Sequence, residues 1–110
     1  MEINKKEIGA EGIKFFACGA DGKEVARAYL YLMKNGLHKE PFGYMEDVYV
    51  DESLRGQGIG TELVNKVIET AKEKKCYKLF ATSRYDRPKV HVLYEKIGFK
   101  DWGKNFRMVF

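Results

Sequence analysis

Tyr44-Met45-Glu46-Asp47-Val48-Tyr49-Val50, followed closely by Leu54-Arg55-Gly56-Gln57-Gly58-Ile59-Gly60-Thr61, is the stretch that decides how this chain folds. The first segment is rich in β-branched and aromatic residues and reads as a strand. The second is glycine-rich, and a helical pattern begins directly behind it: Leu63, Val64, Val67, Ile68 and Ala71 fall on one face, with Glu62, Lys66, Glu69 and Lys72 on the other. Strand, glycine turn and helix together aim backbone N–H groups and a helix N-terminus at an anion, usually a phosphate. Gly56, Gly58 and Gly60 permit unusual dihedrals and close ligand approach, and Arg55 adds a charge suited to phosphate.

Two common phosphate motifs do not fit. The dinucleotide fingerprint G-x-G-x-x-G fails because Thr61 stands where the last glycine belongs. A P-loop fails because no lysine follows any of these glycines.

Working outward, Ile13 to Cys18 and Val25 to Met33 read as strands joined by the turn Ala20-Asp21-Gly22-Lys23, a hairpin. Glu7-Ile8-Gly9 is ambiguous between a short edge strand and a loose arm. Asn35-Gly36 and Pro41-Phe42-Gly43 bracket a loop carrying His38. The helix behind the glycine turn runs to about Lys75. Cys76 to Thr82 returns as a strand, which makes a parallel crossover. Pro88 opens a second helix with Asp86 as its cap; Val90, Leu93, Tyr94 and Ile97 form its apolar stripe, and Gly98 stops it. Phe99 to Trp102 and Phe106 to Phe110 read as two short strands turning at Gly103-Lys104-Asn105. The expected fold class is a mixed α/β arrangement. A mostly antiparallel sheet contains a βαβ unit and carries helices packed on it.

The 110 residues suit one domain, and a 45% hydrophobic content suits a folded one. No apolar stretch has membrane-span length, and the polar start lacks a signal-peptide core. Cys18 and Cys76 are too few for a disulfide framework or metal site; both read as buried free thiols of a cytoplasmic protein. The net charge of +4 suits a polyanionic ligand. The basic residues are scattered, which argues against nucleic acid. The run Lys72-Glu73-Lys74-Lys75 reads as a solvated helix end.

Arg55 to Gly60 fits the pattern R-x-x-G-x-G and resembles the pyrophosphate-binding loop of the GNAT superfamily of acyl-CoA N-acyltransferases. Tyr94-Glu95-Lys96-Ile97-Gly98-Phe99 resembles that family's Y-E-K-x-G-F stretch, in the same order along the chain. The two together are far more specific than either alone, and the resemblance covers roughly Tyr44 to Phe110. It implies acetyl transfer from acetyl-CoA, the co-substrate, to a primary amine by direct transfer in a ternary complex. The alternative is a non-catalytic acyl-CoA-binding sensor or interaction module.

By this resemblance, the pyrophosphate lies on the amides of Gly56, Gln57, Gly58, Ile59, Gly60 and Thr61 with Arg55 nearby, and the pantetheine arm pairs with the backbone of Val48, Tyr49 and Val50. Arg87 replaces an asparagine common in the family, and either binds a phosphate of coenzyme A or faces solvent. Tyr94 matches the tyrosine that donates a proton to the departing sulfur, while its helical spacing equally suits simple packing. Glu46, with Asp47 as the alternative, is the candidate base; strict alternation places Glu46 on the face of Val48 and Val50, and Asp47 with Met45 and Tyr49. His38 and His91 read as bystanders. Members of the family usually have a strand and two helices before the hairpin, and about a dozen residues are too few for that unit. The acceptor site is then open, completed by a homodimer partner, or formed by the Lys34 to Gly43 loop. The acceptor is a small-molecule or protein amine.

Overall fold

The computed structural model describes residues 1–110. Four strands, β1 (Glu11–Cys18), β2 (Glu24–Met33), β3 (Phe42–Val50) and β4 (Leu79–Ala81), form one sheet in the order β1-β2-β3-β4. The first three are antiparallel neighbours, and β4 lies parallel to β3. Helix α1 (Ile59–Glu73) connects β3 to β4, and α2 (Pro88–Ile97) follows. This is the mixed, mostly antiparallel architecture that the sequence predicts.

The hairpin turn forms as expected. Gly22 takes φ +80°, where a Cβ is disfavoured, and Asp21 accepts a hydrogen bond from the Lys23 N–H at 3.0 Å. Alternation along β2 turns Ala26, Ala28, Leu30 and Leu32 to one side. Against them pack Met45 of β3 and Leu63, Val64, Val67 and Ala71 of α1, and this set is the buried core. The two alanines leave room for the helix to lie close to the sheet. Tyr94, Ile97 and Phe99 pack against the edge of the same core.

The opposite face carries no helix. Register places Lys14, Phe16, Arg27, Tyr29, Tyr31, Phe42, Tyr44, Glu46, Tyr49 and Phe80 there. The helices therefore cover one side of the sheet only.

Several boundaries differ from expectation. Helix α1 stops at Glu73, because Lys75 takes a left-handed φ of 61°. Strand β4 is confined to Leu79–Ala81, where β3 supplies partners for it. Asp86 does not cap α2: the cap position is Arg87, without a side-chain bond, while the Asp86 carboxylate lies 3.8 Å from Arg84 Nε. Residues 1–10 form no element, so Glu7-Ile8-Gly9 is no edge strand. The expected C-terminal hairpin is absent as well. Residues 100–110 are exposed, and Trp102, Phe106 and Phe110 pack on nothing. Two short strands are marginal by themselves, and here neither gains an edge of the sheet. No helix is long and apolar enough to cross a membrane.

Candidate acyl-donor and acceptor site

The site begins where alternation in β3 breaks. Arg27 pairs with Tyr49 and Tyr29 with Glu46, so Asp47 and Val48 together oppose Ala28. This is a β-bulge, with Asp47 at φ 52°. The extra residue reverses the phase of every side chain after it. Met45, Val48 and Val50 all face the core, and Glu46 points to the helix-free face with Tyr44. The expected sharing of a face by Glu46, Val48 and Val50 is thus corrected, as is the sharing by Asp47 and Met45.

Asp47 is committed to structure. Its carboxylate accepts from Arg27 Nε at 2.8 Å and from a second guanidinium nitrogen at 3.3 Å. The Arg27 guanidinium also lies 4.7 Å from the Tyr49 ring centre. Glu46 is exposed and joins no hydrogen bond or ion pair.

The bulge coincides with the end of the parallel pairing. Strand β4 meets β3 only through Gly43–Leu79, Tyr44–Phe80 and Met45–Ala81. From Glu46 onward, the β4-side edge of β3 has no strand beside it. Apart from the Val50 carbonyl, which accepts from Arg55 Nε, its backbone groups on that edge are open to an added extended partner.

Beyond β3, Asp51 accepts from the Ser53 N–H at 3.2 Å and starts a short 3-10 turn over Glu52–Leu54. Gly56 and Gly58 then take φ +82° and +85°, with open space where a Cβ would stand. Gly60 is different. It is already helical, and its missing Cβ would touch Val50 Cγ2 at 3.6 Å. The first bond of α1 runs from the Glu62 N–H to the Gly58 carbonyl. The N–H groups of Gly56, Gln57, Gly58, Ile59, Gly60 and Thr61 donate to no protein acceptor. No side chain caps this end of α1. A run of unpaired donors at a helix N-terminus fits a phosphate in charge and hydrogen-bonding capacity.

Arg55 lies beside the loop with its Nε donating to the Val50 carbonyl at 3.0 Å, which fixes the guanidinium between β3 and the glycines. Arg87 is exposed at the start of α2, and its side chain makes no hydrogen bond or ion pair.

Tyr94 is half-buried, packs on the core, and has its ring centre 5.3 Å from that of Phe99. Burial pushes its phenol above the usual value of 10.0, so the hydroxyl keeps its proton at neutral pH. That hydroxyl has no partner within the chain. The stripe position and a free hydroxyl coexist in one side chain.

His91 turns away from this chemistry. Its Nε2 lies 2.8 Å from the Arg84 carbonyl, so this nitrogen donates and pins the loop before α2. His38 stacks on Tyr77 with ring centres 3.8 Å apart, and Tyr77 accepts from Asn35 Nδ2 at 2.9 Å. Burial raises the Cys76 thiol above its usual 9.0, which makes it a weak nucleophile. Cys18, expected to be buried, is exposed near the hairpin turn.

The sequence reading missed Lys78. Its ammonium lies 5.2 Å from the Phe42 ring centre, 5.6 Å from Tyr77 and 6.0 Å from Phe80, and it joins no salt bridge. Alternation around Phe80 would have placed it on the helix-free face.

Residues 2–99 match the profile of the acetyltransferase (GNAT) family. The chain is 31% identical over 103 residues to an aminoglycoside N(6')-acetyltransferase type 1 of Stenotrophomonas maltophilia, covering 91% of this chain and 67% of the relative. It is 37% identical over 68 residues to a probable glucosamine 6-phosphate N-acetyltransferase of Oryza sativa subsp. japonica, covering 62% of this chain and 39% of the relative. Among solved structures, an acetyltransferase of Trypanosoma brucei superposes with a TM-score of 0.81 at 29% identity, covering 90% of this chain and 69% of that one.

Proposed function

Because the chain belongs to the acetyltransferase (GNAT) family, we propose that it moves an acetyl group from acetyl-CoA to a primary amine by direct transfer in a ternary complex. The observation that carries this reading is the unpaired run of N–H groups from Gly56 to Thr61, at the end of a β3 edge left open beyond Met45. Acetyl-CoA supplies the activated acyl thioester. Gly56, Gln57, Gly58, Ile59, Gly60 and Thr61 would hold its pyrophosphate, with Arg55 and Arg87 adding charge. The backbone of Val48, Tyr49 and Val50 would pair with the extended arm.

The remaining chemistry falls to a few groups. Glu46 takes a proton from the acceptor ammonium, directly or through water, so that the nitrogen lone pair is free to attack. A backbone N–H of β3 near Val48 steadies the charge that grows on the carbonyl oxygen. The Tyr94 hydroxyl gives a proton to the departing sulfur and regains one from the new amide nitrogen. One proton is left on Glu46, which releases it to water. The raised Cys76 thiol supports transfer without an acyl-enzyme.

Relatives of the chain are named for aminoglycoside, glucosamine 6-phosphate and thialysine acceptors, and amino sugars are the favoured class here. The exposure of Glu46 favours one alternative, a module that binds acyl-CoA without turnover. Thiol release from acetyl-CoA, measured over a panel of amines, separates the two. Acceptor-dependent release supports the enzyme; tight acetyl-CoA binding with no release contradicts it.

A further inference from the structure

Two of the curated relatives are named for different acceptors, one an aminoglycoside and one a sugar bearing a phosphate. The helix-free face distinguishes between them. Helix α1, its N-terminus and the core occupy one side of the sheet. An acceptor meeting a thioester that lies along the open edge of β3 has the other side free for its approach.

That side is mostly neutralised. Lys14 is paired with Glu24, and Arg27 with Asp47 and Glu24. Two charges beside the β3–β4 pairing stay unpaired, the Glu46 carboxylate and the Lys78 ammonium. They flank an apolar ridge formed by Tyr44 and Phe80, whose rings stack at 4.5 Å and 13°. The Gly43–Leu79 pairing sets Lys78 opposite Phe42, and the Gly43 N–H donates to the Lys78 carbonyl at 2.9 Å. Glu46 lies four residues further along β3 than Phe42, about 13 Å at roughly 3.3 Å per residue. A span of that order suits one sugar ring with a charged substituent at each end and the hydrogen bonds they make. The rings of Phe42, Tyr77 and Phe80 hold the Lys78 ammonium by cation–π attraction without using its N–H donors.

We infer that this face is a binding site for a dipolar acceptor, an amino sugar carrying a phosphate, with its ammonium at Glu46 and its phosphate at Lys78. This rests on the acetyltransferase reading and sharpens it. A polycation would gain at Glu46 but be repelled at Lys78, whereas a phosphorylated amine is matched at both ends. Lys78 is here a specificity-determining residue.

The test compares kcat/KM for glucosamine 6-phosphate, glucosamine and kanamycin at saturating acetyl-CoA, in the native chain, Lys78→Gln and Lys78→Arg. The native chain should prefer glucosamine 6-phosphate to glucosamine by about tenfold or more, and kanamycin should be poorer than the phosphorylated sugar. Lys78→Gln should bring the phosphate preference close to one, chiefly through KM, and Lys78→Arg should keep most of it. Equal use of the two sugars by the native chain, an unchanged preference in Lys78→Gln, or a preference for kanamycin overturns the inference and leaves the enzyme reading standing. If no amine is acetylated, calorimetric titration of glucosamine 6-phosphate into the native chain and Lys78→Gln decides. Lys78-dependent binding upholds the site and removes the enzyme, and absence of binding removes both.

Discussion

Arg27 grips Asp47 with two guanidinium nitrogens, at 2.8 and 3.3 Å, across the point where β3 gains a residue relative to β2. The pair holds Asp47 at φ 52°, a left-handed conformation that Asp tolerates better than most residues. Everything downstream in β3 takes its orientation from this bulge. Asp47→Gly keeps the backbone permissive while losing the pair, whereas Asp47→Val forces a β-branched side chain into the left-handed region at a cost of roughly 1–2 kcal/mol or more. Chemical denaturation should show Asp47→Val clearly less stable than Asp47→Gly, with the larger loss of turnover. Equal stability would mean that the bulge does not require positive φ.

Gly58 joins positive φ to open space on the ligand side. Gly58→Asp sets a carboxylate before the unpaired N–H groups, where it competes with a phosphate and repels it. The Kd for acetyl-CoA, followed by calorimetry, should rise on the order of tenfold or more. Gly60→Ala, at a helical position, should fold normally. Unaltered affinity in Gly58→Asp would remove the phosphate from this loop.

Tyr94→Phe retains the packed ring and removes the proton. Turnover should fall about a hundredfold, within the usual range for a general acid, while acetyl-CoA affinity changes little. The sign of the pH effect follows from burial. A phenol raised above 10.0 binds its proton more tightly folded than unfolded. Its contribution to stability is therefore complete below pH 10 and is lost as pH rises through the folded value. The activity profile should accordingly show no alkaline loss from Tyr94 below that pH. A turnover equal to the native value in Tyr94→Phe would exclude the donor role.

The two thiols should part company. Cys18 is exposed and should react with iodoacetamide well before Cys76, whose thiol burial holds above 9.0. Cys76→Ala should keep turnover within a few-fold, because no acyl group passes through sulfur. Mass-spectrometric capture of an acetyl group on Cys76 during turnover would contradict this.

How far the sequence spoke depends on whether the governing physics is local. The glycine loop, its helix and the parallel return to β4 were legible, since dihedral permissiveness, helical period and crossover length are written in neighbouring residues. The face of Glu46 was not. A bulge arises from how β3 pairs with Ala28 and Arg27, and strict alternation has no means of registering the extra residue. The same holds for Lys78, whose place among Phe42, Tyr77 and Phe80 comes from residues far apart in the chain. At the C-terminus the error ran the other way. Phe106 to Phe110 has strand-forming residues, but β propensity without an edge to pair with makes no strand.

Direct transfer requires acetyl-CoA and the amine to be bound together. It is tested by initial velocities measured while varying both acetyl-CoA and an amino-sugar acceptor. Double-reciprocal lines that intersect, with coenzyme A released only when the amine is present, are the predicted result. Parallel lines with release of coenzyme A before amine is added, or no amine-dependent release at all, would contradict it.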